Sequence, residues 1–414
     1  MPELPSLWRK DLTLDELIGL FKDQPLDFAP GEQWAYSDSG YVLLGAIIEK
    51  VSGMRYAEFI QQRIFTPLGM THSSYDTTAE IMPGRVAGYS RTEAGDANAA
   101  YLSMALPYAA GSLAASVDDL ARWDAALYTD TLVRQTTLKR AFQSAKLKDG
   151  QPTGYGYGWE LGNYAGHAFS EHNGAINGFS TQMMRLPADN VYVAILTNCD
   201  SCRGSLGTLA FTVAALVIGE PYDNPPAITL PAAALAAYEG VYQFTAQASV
   251  VIRHEDDHLL LQSGGAPRVL VPLSASEFFI KDVPIRIRFV NNATGGVSEL
   301  QLQQHFGPWA GAKKSDQALP ATHTAISIDP AIEQQYVGEY QISPSFSLTV
   351  SLEAGKLMVQ PSGQDKVELL AESESRFFLR EVDAQIEFTR DGADKVTGLI
   401  LTQGGQKMTG QKVT

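Results

Sequence analysis

Two short stretches of this 414-residue sequence carry side chains suited to handling a proton. One is Tyr36-Ser37-Asp38, a phenol with a hydroxyl and a carboxylate beside it. The other is His172-Asn173-Gly174-Ala175, an imidazole followed by an amide and a sterically open backbone. A tyrosine and a histidine held together can act as general acid and base if their pKa values are tuned toward neutrality. Taken singly they mean less: a tyrosine in a turn before a helix is more often a packing residue, and a lone histidine on a strand a structural one.

Two further constellations compete for attention. His254-Glu255-Asp256-Asp257-His258 spells the His-Glu-x-x-His of zinc proteases, but that chemistry needs a helix to bring both imidazoles onto one face. Here the motif lies between the strand-like runs Val250-Val251-Ile252 and Leu259-Leu260-Leu261 and reads as a hairpin. Cys199 and Cys202 form a Cys-x-x-Cys that could be a redox pair, half of a zinc site or an incidental disulfide. No second pair completes a four-cysteine site and the flanks look like a loop leaving a strand, so the incidental reading is preferred. No metal and no cofactor are called for.

The elements around these residues fall into two kinds. Before Glu220, helix and strand signals are mixed. Thr13 and Glu16 fit a capping box ahead of Leu14, Leu17, Ile18 and Phe21; Gly40 to Ser52 reads as a buried helix stopped by Gly53; Ser116 with Asp119 caps another helix. From Ala165 the pattern turns to strands, with a hairpin reversing at Ala188-Asp189-Asn190. Leu206 to Gly219 is apolar but shorter than the roughly 20 residues a membrane span requires, and reads as a helix covering a sheet.

Beyond Glu220, EPYDNPPAITLP packs four prolines into a stretch that continues neither helix nor central strand, and a domain boundary is placed there. A second linker is Gly311 to Pro330. The segments it separates repeat: Tyr238-Glu-Gly240-Val-Tyr242-Gln243 recurs as Tyr336-Val-Gly338-Glu-Tyr340-Gln341, and Phe278-Phe279, Phe289 and Val297 face Phe377-Phe378, Phe388 and Val396. This is a duplication of an all-β unit, closed or nearly so to protect its edges. The expected organisation is residues 1–222, 232–312 and 330–414: an α/β (α+β) domain with an antiparallel sheet flanked by helices, then two barrel-like repeats.

Composition narrows the partners. With 45% hydrophobic and 19% charged residues the chain can bury substantial cores. Asp and Glu number 46 against 31 Lys and Arg, a net charge of −15 that repels phosphate backbones and anionic lipids, so nucleic acid is excluded as a partner. A small molecule or short peptide is the expected substrate. Met1 is followed at once by Pro2, Glu3 and Leu4, without the basic region and apolar core of a secretory signal.

The run Pro30-Gly31 through Tyr36-Ser37-Asp38-Ser-Gly40-Tyr41 to Gly45 is followed in order by Pro67-Leu68-Gly69-Met70, Ala110-Gly111-Ser112-Leu113 ahead of Asp118-Asp119-Leu120, and His172-Asn173-Gly174. In this ordered set the sequence resembles the serine β-lactamase and penicillin-binding-protein-like superfamily, in its class C-like branch, from Leu14 to about Gly219. The His-x-Gly form with two β domains behind it looks most like the D-aminopeptidase group. The resemblance implies acyl transfer from a serine through a Lys and Tyr network, on a D-amino-acid peptide or amide or a small ester, with backbone amides holding the oxyanion. It assigns Tyr36 and His172 to catalysis, Asp38, Asn173 and Gly174 to substrate contact, and the N–H of Ala175 to the oxyanion. A periplasmic or secreted full-length form is implied too. Asp38 stands where the family more often has Asn, and His172 where it has a permanently charged Lys, which weakens any fixed grip on a β-lactam carboxylate.

One part of the resemblance is missing. The family's nucleophile lies in a Ser-x-x-Lys upstream of the Tyr motif, and the 414 residues contain no Ser-x-x-Lys. Met1 is therefore read as an internal methionine of a longer protein, compatible with a truncated gene or a misplaced start. Two readings stand: a serine hydrolase inactive as written, or a non-catalytic degenerate hydrolase fold or binding module.

Overall fold

The structure, a computed structural model, describes residues 4–77, 80–92, 95–200, 205–245, 248–263, 267–320, 323, 325–343, 346–353, 355–362, 366–379, 384–403 and 406–413. Cys202 lies outside them, so the Cys-x-x-Cys reading is not carried further.

The helix starts follow their caps. Before α1 (Leu14–Gly19), the Thr13 hydroxyl accepts the Glu16 N–H at 3.3 Å and the Glu16 carboxylate accepts the Thr13 N–H at 2.8 Å. Ser37 caps α2 (Asp38–Ser52), which stops at Gly53 in the left-handed region with φ 69°. Ser116 caps α3 (Val117–Ala126). Further helices are α4 (Gln135–Ala141) and, after the sheet, α5 (Leu206–Val217), with shorter helical segments at Leu4–Leu7, Tyr56–Ile60, Gln61–Phe65 and Thr66–Leu68.

The sheet is an antiparallel meander of β1 (Glu160–Tyr164), β2 (His167–Ile176), β3 (Phe179–Leu186) and β4 (Val191–Thr197). The β3 to β4 reversal uses Asn190 at φ 54°, at the predicted turn. On one face Phe169, Met184 and Leu186 pack under Ala210, Phe211, Ala214 and Ala215 of α5, the helix expected to cover a sheet. On the other, Arg185 of β3 reaches Asp124 of α3 at 2.7 Å in a buried ion pair. The helix predicted at Gly40 to Ser52 is present but not buried as expected: only Val42 and Gly45 are shielded. Leu43, Leu44, Ile47 and Val51 remain exposed, since the short α1 covers this face only loosely, its Leu14 and Ile18 lining an open groove with Leu43 and Ile47.

The second part is a closed eight-stranded antiparallel barrel: β5 (Gly240–Gln243), β6 (Ser249–Glu255), β7 (His258–Gln262), β8 (Arg268–Pro272), β9 (Glu277–Ile280), β10 (Ile285–Asn291), β11 (Val297–Gln304) and β12 (Trp309–Lys314). The His-Glu-x-x-His motif is the β6–β7 hairpin, with Glu255 opposite His258 and Asp256 at φ 52° in the turn. In the second copy the equivalent of β8 breaks at Leu369 into Val367–Glu368 and Leu370–Ala371, the two ends of a nine-stranded sheet.

The duplication extends to single hydrogen bonds. Buried Tyr242 donates to the Tyr238 carbonyl and buried Tyr340 to the Tyr336 carbonyl, each at 2.7 Å. Lys314 donates to Ala237 O and Lys412 to Gln335 O, while their ammonium groups lie 5.8 and 5.6 Å from the Tyr242 and Tyr340 ring centres. These copied polar contacts pin each tyrosine inside a core that is otherwise aliphatic and phenylalanine-rich. Among the described residues no helix is long and apolar enough to cross a membrane.

Candidate active site

The Ser37 hydroxyl accepts the Gly40 N–H at 3.2 Å, which sets Tyr36 just before the start of α2 and Asp38 as its first residue. The Tyr36 ring then meets the sheet, its centre 5.8 Å from the His172 ring and 6.4 Å from that of Tyr155. Tyr36 and His172, far apart in sequence, are thus brought together, with Asp38 beside the phenol.

Tyr155 has no sequence motif to announce it. Its side chain is buried, Trp34 packs on it at 5.1 Å, and its carbonyl accepts the Ala145 N–H at 2.9 Å. Its hydroxyl lies 2.7 Å from His172 Nε2, and His172 Nδ1 lies 2.7 Å from the Asn173 carbonyl oxygen. A carbonyl only accepts, so Nδ1 carries the proton and Nε2 accepts from the phenol. Burial, reinforced by the adjacent Tyr41 phenol, pushes the Tyr155 hydroxyl well above the usual tyrosine range, which keeps it a donor.

Tyr36 departs from what the resemblance requires. Its phenol is pushed up to about 12, chiefly by partial burial against its aromatic neighbours and then by Asp38. About half of the side chain still faces solvent. The resemblance asks for a cation that lowers this pKa, but the groups acting on Tyr36 are carboxylates and a second phenol. Tyr36 as found holds its proton at neutral pH.

Neighbouring positions of β2 serve the opposite face of the sheet. Glu171 is 4% exposed and accepts from Gln182 Nε2 at 2.9 Å. Burial, with a smaller contribution from Glu160, pushes its carboxyl up to about 8. Opposite it stands His305, from the turn joining β11 to β12, which burial lowers to about 4. Their 3.9 Å approach, Nδ1 to Oε1, is therefore a contact of two neutral groups and not an ion pair. Both border a cavity of about 370 Å³ that Asn173, Gly174 and Ala175 also line, whereas Tyr36, Asp38 and His172 do not.

The same turn docks the first barrel onto this part. His305 and Phe306 have φ of 48° and 59°. The Phe306 ring lies 4.8 Å from Tyr164 and 5.6 Å from Phe211, and His305 Nε2 is 3.2 Å from the Thr208 hydroxyl. Gly207 is required here, since a Cβ at that position would come within 2.5 Å of the His305 ring.

Residues 2–213 match the β-lactamase family, and residues 224–314 and 322–412 each match a domain of unknown function, DUF3471. Penicillin-binding protein 4* of Bacillus subtilis (strain 168) is 30% identical over 286 residues, 63% of this chain and 62% of that protein. A D-aminopeptidase of Gluconobacter oxydans (strain 621H) is 26% identical over 218 residues, 51% of this chain and 40% of its own length. The chain therefore spans less than two thirds of either relative. Among solved structures, the octameric penicillin-binding protein homologue from Pyrococcus abyssi is 25% identical with a TM-score of 0.47, covering 74% of this chain and 71% of that one.

Proposed function

Because the chain belongs to the β-lactamase family, we propose that it is built for acyl transfer on a D-amino-acid amide, a short D-peptide or a small ester, and that these 414 residues hold the proton-handling side of such a site without its nucleophile. The observation that carries the reading is the Tyr36, Tyr155 and His172 cluster, assembled at the start of the Asn173-Gly174-Ala175 strand segment. The Ala175 N–H is the oxyanion donor, Asn173 and Gly174 contact the substrate backbone, and Asp38 faces its polar end. A carboxylate at 38 only accepts hydrogen bonds when ionised, so it selects donors such as an ammonium or amide N–H. The D-aminopeptidase relative supports an amide or peptide of D configuration over a β-lactam.

Without a Ser-x-x-Lys in the chain, no serine is available to form the acyl-enzyme, and the remaining groups bind without turnover. The raised Tyr36 pKa favours a second reading, a binding module on a degenerate hydrolase fold. Incubation with a fluorophosphonate and with a fluorescent penicillin, followed by mass spectrometry, tests the first. No serine adduct is expected from these 414 residues, and a stoichiometric adduct would overturn the assignment of the nucleophile. Saturable binding of D-phenylalanine amide that shifts the Tyr36 and His172 resonances supports the site, and binding that leaves both unmoved refutes it.

A further inference from the structure

We propose that the surface formed by α4 and the turn following it is a subsite for the carboxylates of an acidic peptide, extending the Tyr36 and His172 site; the proposal rests on the acyl-transfer reading above. Residues 128–159 carry Arg134, Lys139, Arg140, Lys146 and Lys148 against only Asp130 and Asp149, in a chain of net charge −15. All five cationic residues are exposed. None of them pairs with a carboxylate among the described residues, as Arg185, Arg288 and Arg390 do elsewhere. Each of the two exposed acids accepts one local backbone hydrogen bond: Asp130 the Gln135 N–H at 2.6 Å and Asp149 the Gln151 N–H at 2.9 Å.

This basic surface is fastened to the aromatic cluster at several points. Ala145 N–H donates to Tyr155 O at 2.9 Å, and Tyr157 N–H to Ala141 O at 2.9 Å. Arg140 Nη2 lies 3.5 Å from the Tyr157 hydroxyl. Lys148 N–H donates to Gly31 O at 2.8 Å, and its aliphatic stem covers Gly31 so closely that a Cβ there would sit 3.1 Å from Cγ. Gly31 also has φ 81°, so this position holds glycine both for its conformation and for its space. Tyr157, which meets Arg140, stands exposed, as does Trp34 where it packs on Tyr155.

Exposed aromatic faces next to unpaired cations fit a ligand with an apolar body and carboxylates projecting from it. The strongly negative remainder of the surface argues against a long polyanion, which would have to run from the basic patch into repelling charge. A short acidic peptide ends before it meets that field. Histidine at 172, in place of a permanent cation, leaves anion recognition to the rim rather than the centre.

Isothermal titration calorimetry with N-acetyl-tri-D-glutamate and its neutral isostere N-acetyl-tri-D-glutamine tests this on the full chain. The acidic peptide should bind roughly tenfold more tightly at low ionic strength, a preference that shrinks as salt is added, as expected of several exposed charge contacts. Lys146→Glu combined with Lys148→Glu should abolish the preference while leaving affinity for the neutral peptide unchanged. Reversing Lys281 and Lys407 on the barrels should leave it intact. Equal affinity for the two peptides, or equal loss in both double variants, overturns the proposal. Because the readout is binding, a chain that never forms an acyl-enzyme leaves it standing. Conversely, binding of the neutral peptide at Tyr36 with no acid preference sinks the subsite and spares the hydrolase site.

Discussion

Replacing Glu171 by Gln should change how stability depends on pH in a way that follows from two buried groups. Glu171 has a folded pKa of about 8 against 4.5 when unfolded, so its contribution is fully present below pH 4.5 and is lost as the pH rises toward 8. His305 is shifted the other way, from 6.5 to about 4: its contribution is present above pH 6.5 and is lost as the pH falls through 4. Between pH 4.5 and 6.5 the unfolded chain gains one proton on the histidine and loses one on the glutamate, so the two slopes cancel. Above 6.5 the glutamate acts alone. At about 1.4 kcal/mol per pH unit, the remaining 1.5 units up to pH 8 remove about 2 kcal/mol from the parent.

Glu171→Gln keeps the size of the side chain and an oxygen to accept from Gln182, but it cannot ionise. Urea unfolding of parent and variant, followed by tryptophan fluorescence at closely spaced pH values from 4 to 8, gives the two curves. Relative to the variant, the parent should lose stability steadily from about pH 4.5 to 8, by about 1.4 kcal/mol per pH unit. Other titrating groups are common to both proteins and cancel in the difference. If the difference between the curves is flat between pH 6.5 and 8, Glu171 is not held neutral in the folded state and the account of its burial is wrong.

Other consequences can be checked separately. Nitrogen-15 NMR of His172 should show the proton on Nδ1 in the parent, and Tyr155→Phe should mix the two tautomers; a proton on Nε2 in the parent contradicts the hydrogen-bond assignment. Phe306→Ala removes a half-buried ring between Tyr164 and Phe211 and should cost about 2 kcal/mol, below the range for a fully buried phenylalanine. In that variant hydrogen exchange should quicken in α5 and in the segment 220–231, and unchanged exchange in both would show that the turn is not a dock. Tyr242→Phe and Tyr340→Phe should each cost about 1 kcal/mol, since each leaves an equivalent carbonyl without its donor. Costs differing severalfold in urea titrations would mean that the two copies no longer share a core design.

What the sequence revealed divides along a physical line. The caps at Thr13 and Ser116 are local, set by atoms within three residues, and each formed where its residue types indicated, while the helix expected from Gly40 starts two residues earlier, capped by Ser37. The barrels were legible because a duplicated alternation states the same pattern twice, and the approach of Tyr36 to His172 because an ordered series of landmarks singled out both. Tyr155 was invisible: it lies 17 residues from His172, in a glycine-rich run without helix or strand periodicity, and only the folded sheet closes that distance. The Glu171 and His305 contact was hidden for the same reason on a larger scale, joining residues of different parts of the chain. The exposure of Leu43, Leu44, Ile47 and Val51 shows the converse limit, for an apolar helix announces that it can be buried and not what will bury it.

The turn at His305 and Phe306 has a mechanical meaning. A body joined to another by one flexible strap can swivel about it, but one held at two separated points has lost that freedom. The first barrel is held by its chain connection through residues 220–231 and again by this turn, which wedges between α5 and the back of the strand carrying His172. The second barrel has Gly404-Gly405 at the matching place in its sequence, with no ring to insert. A torque on the first barrel is thus delivered to the floor of the candidate site.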